Sequence, residues 1–136
     1  MIELSNTNAQ VIPAGQSVIF DIVLLHTGCA ECYRLNSSFI GLTQRNAIYE
    51  ISFNYNIGST TAGGTAQLAI TLGGAPLQET TAKTVSTAAG DLENVSASTF
   101  VKTCCCAAAD TILLTNTGTE DINVDAHGRL SVKRIA

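Results

Sequence analysis

Between Ala47 and Ile57 the chain reads Ala-Ile-Tyr-Glu-Ile-Ser-Phe-Asn-Tyr-Asn-Ile: from Tyr49 onward every second residue is large and apolar, with Glu50, Ser52, Asn54 and Asn56 between them. Successive side chains of a strand point to opposite sides, so this period of two predicts a β-strand with Tyr49, Ile51, Phe53, Tyr55 and Ile57 on a buried face. The same alternation returns at Thr65 to Leu72, with Ala66, Leu68, Ile70 and Leu72 on one side, and at Asn94 to Thr103, with Val95, Ala97, Thr99 and Val101. Gly73-Gly74 supplies the positive backbone dihedrals of a tight hairpin before Ala75 to Thr81 returns.

The remaining segments are shorter. Pro13-Ala14-Gly15 marks a turn, and Ser17 to Leu25 reads as an apolar strand covered on both faces. Strands are expected near Tyr33 to Leu35 and Ser38 to Leu42, then at Thr111 to Thr115, Ile122 to Ala126 and Leu130 to Ile135, with turns at Asn46, Asn116-Thr117-Gly118 and His127-Gly128. Gly58 to Gly64 and Ala82 to Gly90 read as polar loops, the first an exposed tip. Cys105 to Ala109 is too short to nucleate a helix alone and reads as a strand end and loop. No apolar period of 3.6 lasts three turns, so the chain is expected to be all-β: an antiparallel β-sandwich or barrel of about eight to ten strands.

Composition narrows this further. A chain of 136 residues fits one domain, 1–136, with residues 1–16 open to forming an N-terminal arm. Charged residues are 13% and the formal charge is −4, so the surface is polar rather than ionic. Seven scattered Lys and Arg form no basic stripe, which argues against nucleic acid and anionic membranes as partners. The longest apolar run, Val18 to Leu25, contains Asp21 and falls far short of a bilayer span, and Met1 to Ser5 does not open a secretory signal. Synthesis in a bacterial cytoplasm is the expectation.

Taken in order, Ser5-Asn6-Thr7, Ala14-Gly15, Val18-Ile19-Phe20-Asp21, Ile40-Gly41-Leu42, Ala47 to Phe53, Ile70-Thr71-Leu72-Gly73-Gly74-Ala75-Pro76-Leu77, Ala109-Asp110-Thr111-Ile112-Leu113-Leu114 and Leu130 to Ile135 resemble the C1q and tumour-necrosis-factor-like jelly roll. The likeness is greatest to its compact bacterial and bacteriophage versions, which include the C-terminal head of collagen-like spore-surface glycoproteins. It runs over nearly the whole chain, with Ala109 where the family usually has Gly. The resemblance implies a homotrimer of wedge-shaped sandwiches packed around an axis through one sheet of each. Tyr49, Ile51, Phe53 and Tyr55 are then either core or trimer interface, because aromatic enrichment fits both.

Little in the chain announces a reaction. Cys29-Ala30-Glu31-Cys32 and Cys104-Cys105-Cys106 could supply a structural zinc site through Cys29, Cys32, Cys104 and Cys106, or a disulfide. Adjacent cysteines on a strand point to opposite faces, so small unligated thiols are the expectation and no metal or cofactor is assigned. His26 and His127 sit at turns, no Gly-x-Ser-x-Gly occurs, and Asp121, Asn123 and Asp125 alternate onto one face without a calcium loop, so no catalytic residue is assigned. The glycosylation patterns at Asn36 and Asn94 read as accidental.

With no collagenous stalk ahead of the sandwich, the expected function is a non-enzymatic trimeric structural protein on a virion surface: a bacteriophage capsid decoration protein or fibre head attached to capsid or other virion proteins. The alternative is a receptor- or carbohydrate-binding head of a bacterial spore, cell-surface or phage protein. In that reading Ser59, Thr60, Thr61, Thr84, Ser86 and Thr87 would face a host-surface glycan.

Overall fold

A computed structural model describes residues 1–28, 31–103 and 110–136. Among these residues thirteen strands follow one another: β1 (Ile2–Ser5), β2 (Gln10–Ile12), β3 (Ile22–His26), β4 (Glu31–Tyr33), β5 (Ile40–Leu42), β6 (Ile48–Ser59), β7 (Thr65–Leu72), β8 (Ala75–Pro76), β9 (Ala82–Val85), β10 (Glu93–Lys102), β11 (Asp110–Thr115), β12 (Ile122–Val124) and β13 (Arg129–Arg134). Among the described residues the one helical element is a short 3-10 turn, Gln78–Thr80.

Every pairing is antiparallel, and the strands form two sheets. In the seven-stranded sheet the long β6 is central. One edge pairs with β10 from Ile48 to Ile57; the other takes β13 along Tyr49 to Asn54 and β12 along Ile57 to Ser59. Outside these lie β1 against β13, β3 against β1, and β2 against β12. The six-stranded sheet runs β4, β5, β11, β7, with β8 and β9 sharing the far edge of β7.

The alternation of β6 places Tyr49, Ile51, Phe53, Tyr55 and Ile57 between the sheets, each 2% exposed or less. They meet Leu68 and Ile70 of β7, Ile112 and Leu114 of β11, and Ile40 and Leu42 of β5 in one core. Ile2 and Leu4 belong to it too, so residues 1–16 do not form an arm: β1 is an interior strand whose apolar parity closes one side of the core.

Ser17 to Leu25 is not one covered strand. Val18 and Phe20 are buried where this segment crosses to the other sheet, Val18 N–H donating to Leu114 O and Phe20 N–H to Ser37 O, both at 2.9 Å. Ile19 points outward, where the Gln10 amide satisfies both its N–H and its C=O. Only after Asp21 does β3 begin, as an edge strand that leaves Leu24 and Leu25 exposed. The segment after Gly73-Gly74 also shortens, because the 3-10 turn buries Thr80, whose hydroxyl accepts the Ile70 N–H at 2.9 Å.

Replacing Phe53 by Ala removes a ring from the middle of this core and is expected to cost about 3–5 kcal/mol. Urea unfolding of the two proteins measures the difference; equal midpoints would contradict the burial of the ring.

Candidate functional site

Residues paired across a sheet share a face, so the registers map the outer side of the seven-stranded sheet directly. Glu50 lies between Phe100 and Lys133; Ser52 between Ser98 and Ser131, with Glu3 and Leu25 beyond; Asn54 between Ser96 and Arg129; and Asn56 opposite Asn94. The middle of this face is therefore carpeted with serine and asparagine. Its charges are at the margins, where Glu3 accepts the Ser131 hydroxyl at 3.1 Å and stands 3.8 Å from Arg129.

Phe100 breaks the pattern. It occupies an outward position of β10 and is 65% exposed, and among the described residues no other Phe or Tyr is exposed. Sequence reasoning missed it because attention went to the inward parity of that strand. The signal was present: 94, 96 and 98 are Asn, Ser and Ser, and the next residue of that parity is Phe.

The polar loops expected to face a ligand meet at one end of the sandwich, and two of their residues are structural. Ser59 and Ser86 are buried. The Ser86 hydroxyl accepts the Ser59 N–H at 2.8 Å and donates to Asp91 O at 3.1 Å, while the Ser59 hydroxyl accepts the Thr61 N–H. Gly58 is glycine because the Asp91 carbonyl lies where a β-carbon would project. The ends of the segment 58–64 are held, since β6 continues through Ser59 and Gly64 is buried, while 60–63 are exposed. Thr84 and Thr87 donate to the Glu93 and Asp91 carboxylates, and Thr60 and Thr61 are exposed.

No family model matches the chain, and no curated protein matches it by sequence. Solved structures do. The globular domain of zebrafish complement 1qA protein superposes with a TM-score of 0.66 at 9% identity, covering 99% of this chain and 96% of that one. Murine APRIL gives 0.63 at 10% identity over 98% and 97%. PRD1 vertex protein P5 gives 0.52 at 15% identity over 99% and 97%. The fold is the C1q/tumour-necrosis-factor-like jelly roll.

Within this jelly roll the residues weighed for chemistry stand apart. Cys32 is an exposed free thiol; Cys29, Cys104, Cys105 and Cys106 lie outside the described residues. His26 stacks edge-on against Tyr33 at 5.2 Å and His127 is exposed in a left-handed turn with φ of 66°. Glu120 accepts the Thr65 N–H, Asp125 caps Ala126, and among the described residues no three ligating groups converge on a metal position. The Glu31 carboxylate is buried and pairs with the α-ammonium of Met1 at 2.6 Å. No helix among the described residues is long and apolar enough to cross a membrane.

Two tyrosines of the core carry displaced titrations. Burial raises the Tyr55 phenol well above its ordinary value, with the charge of Asp21 adding to the rise, while its hydroxyl donates to Asn6 Oδ1 at 2.9 Å. Burial also raises Tyr49, opposed by the Gln44 N–H that donates to its oxygen. Both phenols are held neutral in the fold, whereas unfolded chain ionises them near 10.0. Stability is therefore intact below that pH and lost as pH rises above it. Tyr55→Phe should flatten the loss above pH about 10 while costing about 1–3 kcal/mol at neutral pH, since Asn6 loses its donor. Urea titrations at several pH values check both arms.

Ser86→Ala leaves the Ser59 N–H and the Asp91 carbonyl without their partner. The expected cost is about 1–3 kcal/mol, with amide exchange at Ser59 accelerated by a similar factor in free energy. Hydrogen exchange resolved by residue would show no change at Ser59 if the two loops were held by other means.

Proposed function

We propose that the protein is a non-enzymatic homotrimeric structural protein of a virion surface, a capsid decoration protein or fibre head, whose protomers meet through the Phe100 end of the outer face of the seven-stranded sheet. The observation that carries this reading is Phe100, a large ring standing 65% exposed at the margin of a flat field of serine and asparagine. Full burial of such a side chain is worth roughly 1.5–3 kcal/mol. Small side chains around it lose little rotamer freedom when a neighbour approaches, and the adjacent Glu50 and Lys133 offer opposite charges for pairing.

The jelly roll itself supports self-association, as the resemblance implies for this family. The likeness to PRD1 vertex protein P5 supports placement on a virion. Tyr49, Ile51, Phe53 and Tyr55 serve the protomer core in this reading, and the assembly contact belongs to the opposite parity of the same strands.

Light scattering of the purified protein should give about three times the chain mass of 14.2 kDa. Phe100→Asp should reduce it to a single chain without loss of folded circular dichroism, because the ring touches no core. A monomeric wild type would remove the assembly reading, and a trimeric Phe100→Asp would move the contact to another surface.

A further inference from the structure

At the end of the outer sheet face opposite Phe100, β6, β10 and the turn leading into β13 line an open polar groove. Phe100 and Asn94 are six residues apart on β10, which sets the two ends roughly 20 Å from each other. The groove has a lobe of about 280 Å³ lined by Asn54, Asn56, Asn94, His127 and Arg129, and a second lobe of about 480 Å³ that shares Asn54 and Arg129 and adds the sheet's serines. The second lobe falls within the size range of small-molecule sites and the first just below it.

The Asn94 amide donates to the side-chain oxygens of both Asn54 and Asn56, the latter at 3.1 Å. That turns the NH₂ groups of Asn54 and Asn56 away from Asn94, and neither has an acceptor among the described residues. Arg129 is 58% exposed and its nearest carboxylate, Glu3, is 3.8 Å away, outside hydrogen-bond distance. His127 completes the rim. On a chain with a formal charge of −4, neither lobe has a carboxylate among its lining residues. Amide donors beside a guanidinium whose paired carboxylate, Glu3, lies outside hydrogen-bond distance favour an anionic oxygen ligand.

We propose that this groove binds a carboxylate-bearing sugar, with the carboxylate on Arg129 and the ring hydroxyls on the Asn54 and Asn56 amides and the serines of the second lobe. The serine hydroxyls, able both to donate and to accept, match a polyhydroxylated ligand better than a bare anion. No aromatic platform is needed, because charge and amide donors supply the contacts that stacking would otherwise give. Glu3 competes with the ligand for Arg129. The site is separate from the loop threonines, and with the assembly contact confined to the Phe100 end of the face it stays accessible in a trimer.

Saturation-transfer NMR and calorimetry with the methyl glycoside of N-acetylneuraminic acid, methyl glucuronide and methyl glucoside test it. At least one acidic sugar should bind with millimolar affinity and the neutral glucoside should not; which acidic sugar binds names the source. Arg129→Ala should weaken binding about tenfold or more, and Glu3→Gln should tighten it about two- to fivefold, as removal of a charge-assisted contact and of its competitor predict. Binding retained by Phe100→Asp separates the site from assembly. No transfer from either acidic sugar at about 10 mM, equal binding of the neutral one, or an unaffected Arg129→Ala would overturn the proposal.

Discussion

Everything in this sandwich depends on the register of β6. A strand of twelve residues that buries Tyr49, Ile51, Phe53, Tyr55 and Ile57 has one acceptable pairing, because a slip of one residue would turn all five to water and bring Glu50, Ser52, Asn54 and Asn56 into the core. Three strands read their own register from it: β10 along one edge, β13 and β12 end to end along the other. Strand β1 and, through it, β3 then follow β13. The strand's last turn of pattern is fixed as firmly as its middle, since the Asp91 carbonyl lies on Gly58 and Ser86 holds the Ser59 N–H.

The same alternation makes the outer face. Apart from Glu50 and Phe100, the residues that alternate with the inward ones on β6 and in the body of β10 are serine and asparagine, so core and surface are two readings of one sequence. That is why the aromatic residues of β6 do not decide whether the protein assembles: their parity is spent on the protomer. What remains for contact with other molecules is the opposite parity, flat and uncharged in the middle, with Phe100 at one end and a donor-rich groove at the other. Substitutions on this face can therefore alter assembly or binding with little effect on stability, whereas the inward parity offers no such freedom.

The long strands were legible because period-two patterning over eight or more residues has no competing explanation, and β7 matches its expected bounds of Thr65 to Leu72. The family likeness was legible from the order of such segments. Ser17 to Leu25 was not, because apolar continuity does not distinguish a doubly covered strand from a crossover followed by an exposed edge; Gln10 serving the backbone of Ile19 is a contact between turns that no local pattern encodes. Ser59 and Ser86 looked like loop hydroxyls for the same reason, since a serine that holds backbone groups in place and a solvated one have identical sequence signatures. The pairing of Glu31 with Met1 joins residues whose partnership only the tertiary fold creates. For the site, Arg129 and the three asparagines were visible as residues but not as a group, because they come from strands far apart in sequence that only the β6 register brings side by side.

Size and symmetry connect the two ends of the outer face. A groove that offers one guanidinium and a few amides to a single sugar can supply only weak affinity, because an open, solvated site gains little beyond what it pays in lost ligand freedom. A homotrimer would present three such grooves at fixed spacing, and binding of the first sugar would make the second intramolecular, raising avidity by roughly 10²–10⁴ without any new contact. Weak single sites on a symmetric head discriminate a dense glycan surface from free sugar, which a single tight site cannot do. On that view the exposed ring and the donor-rich groove are complementary: the first sets how many sites there are, and the second sets what each recognises.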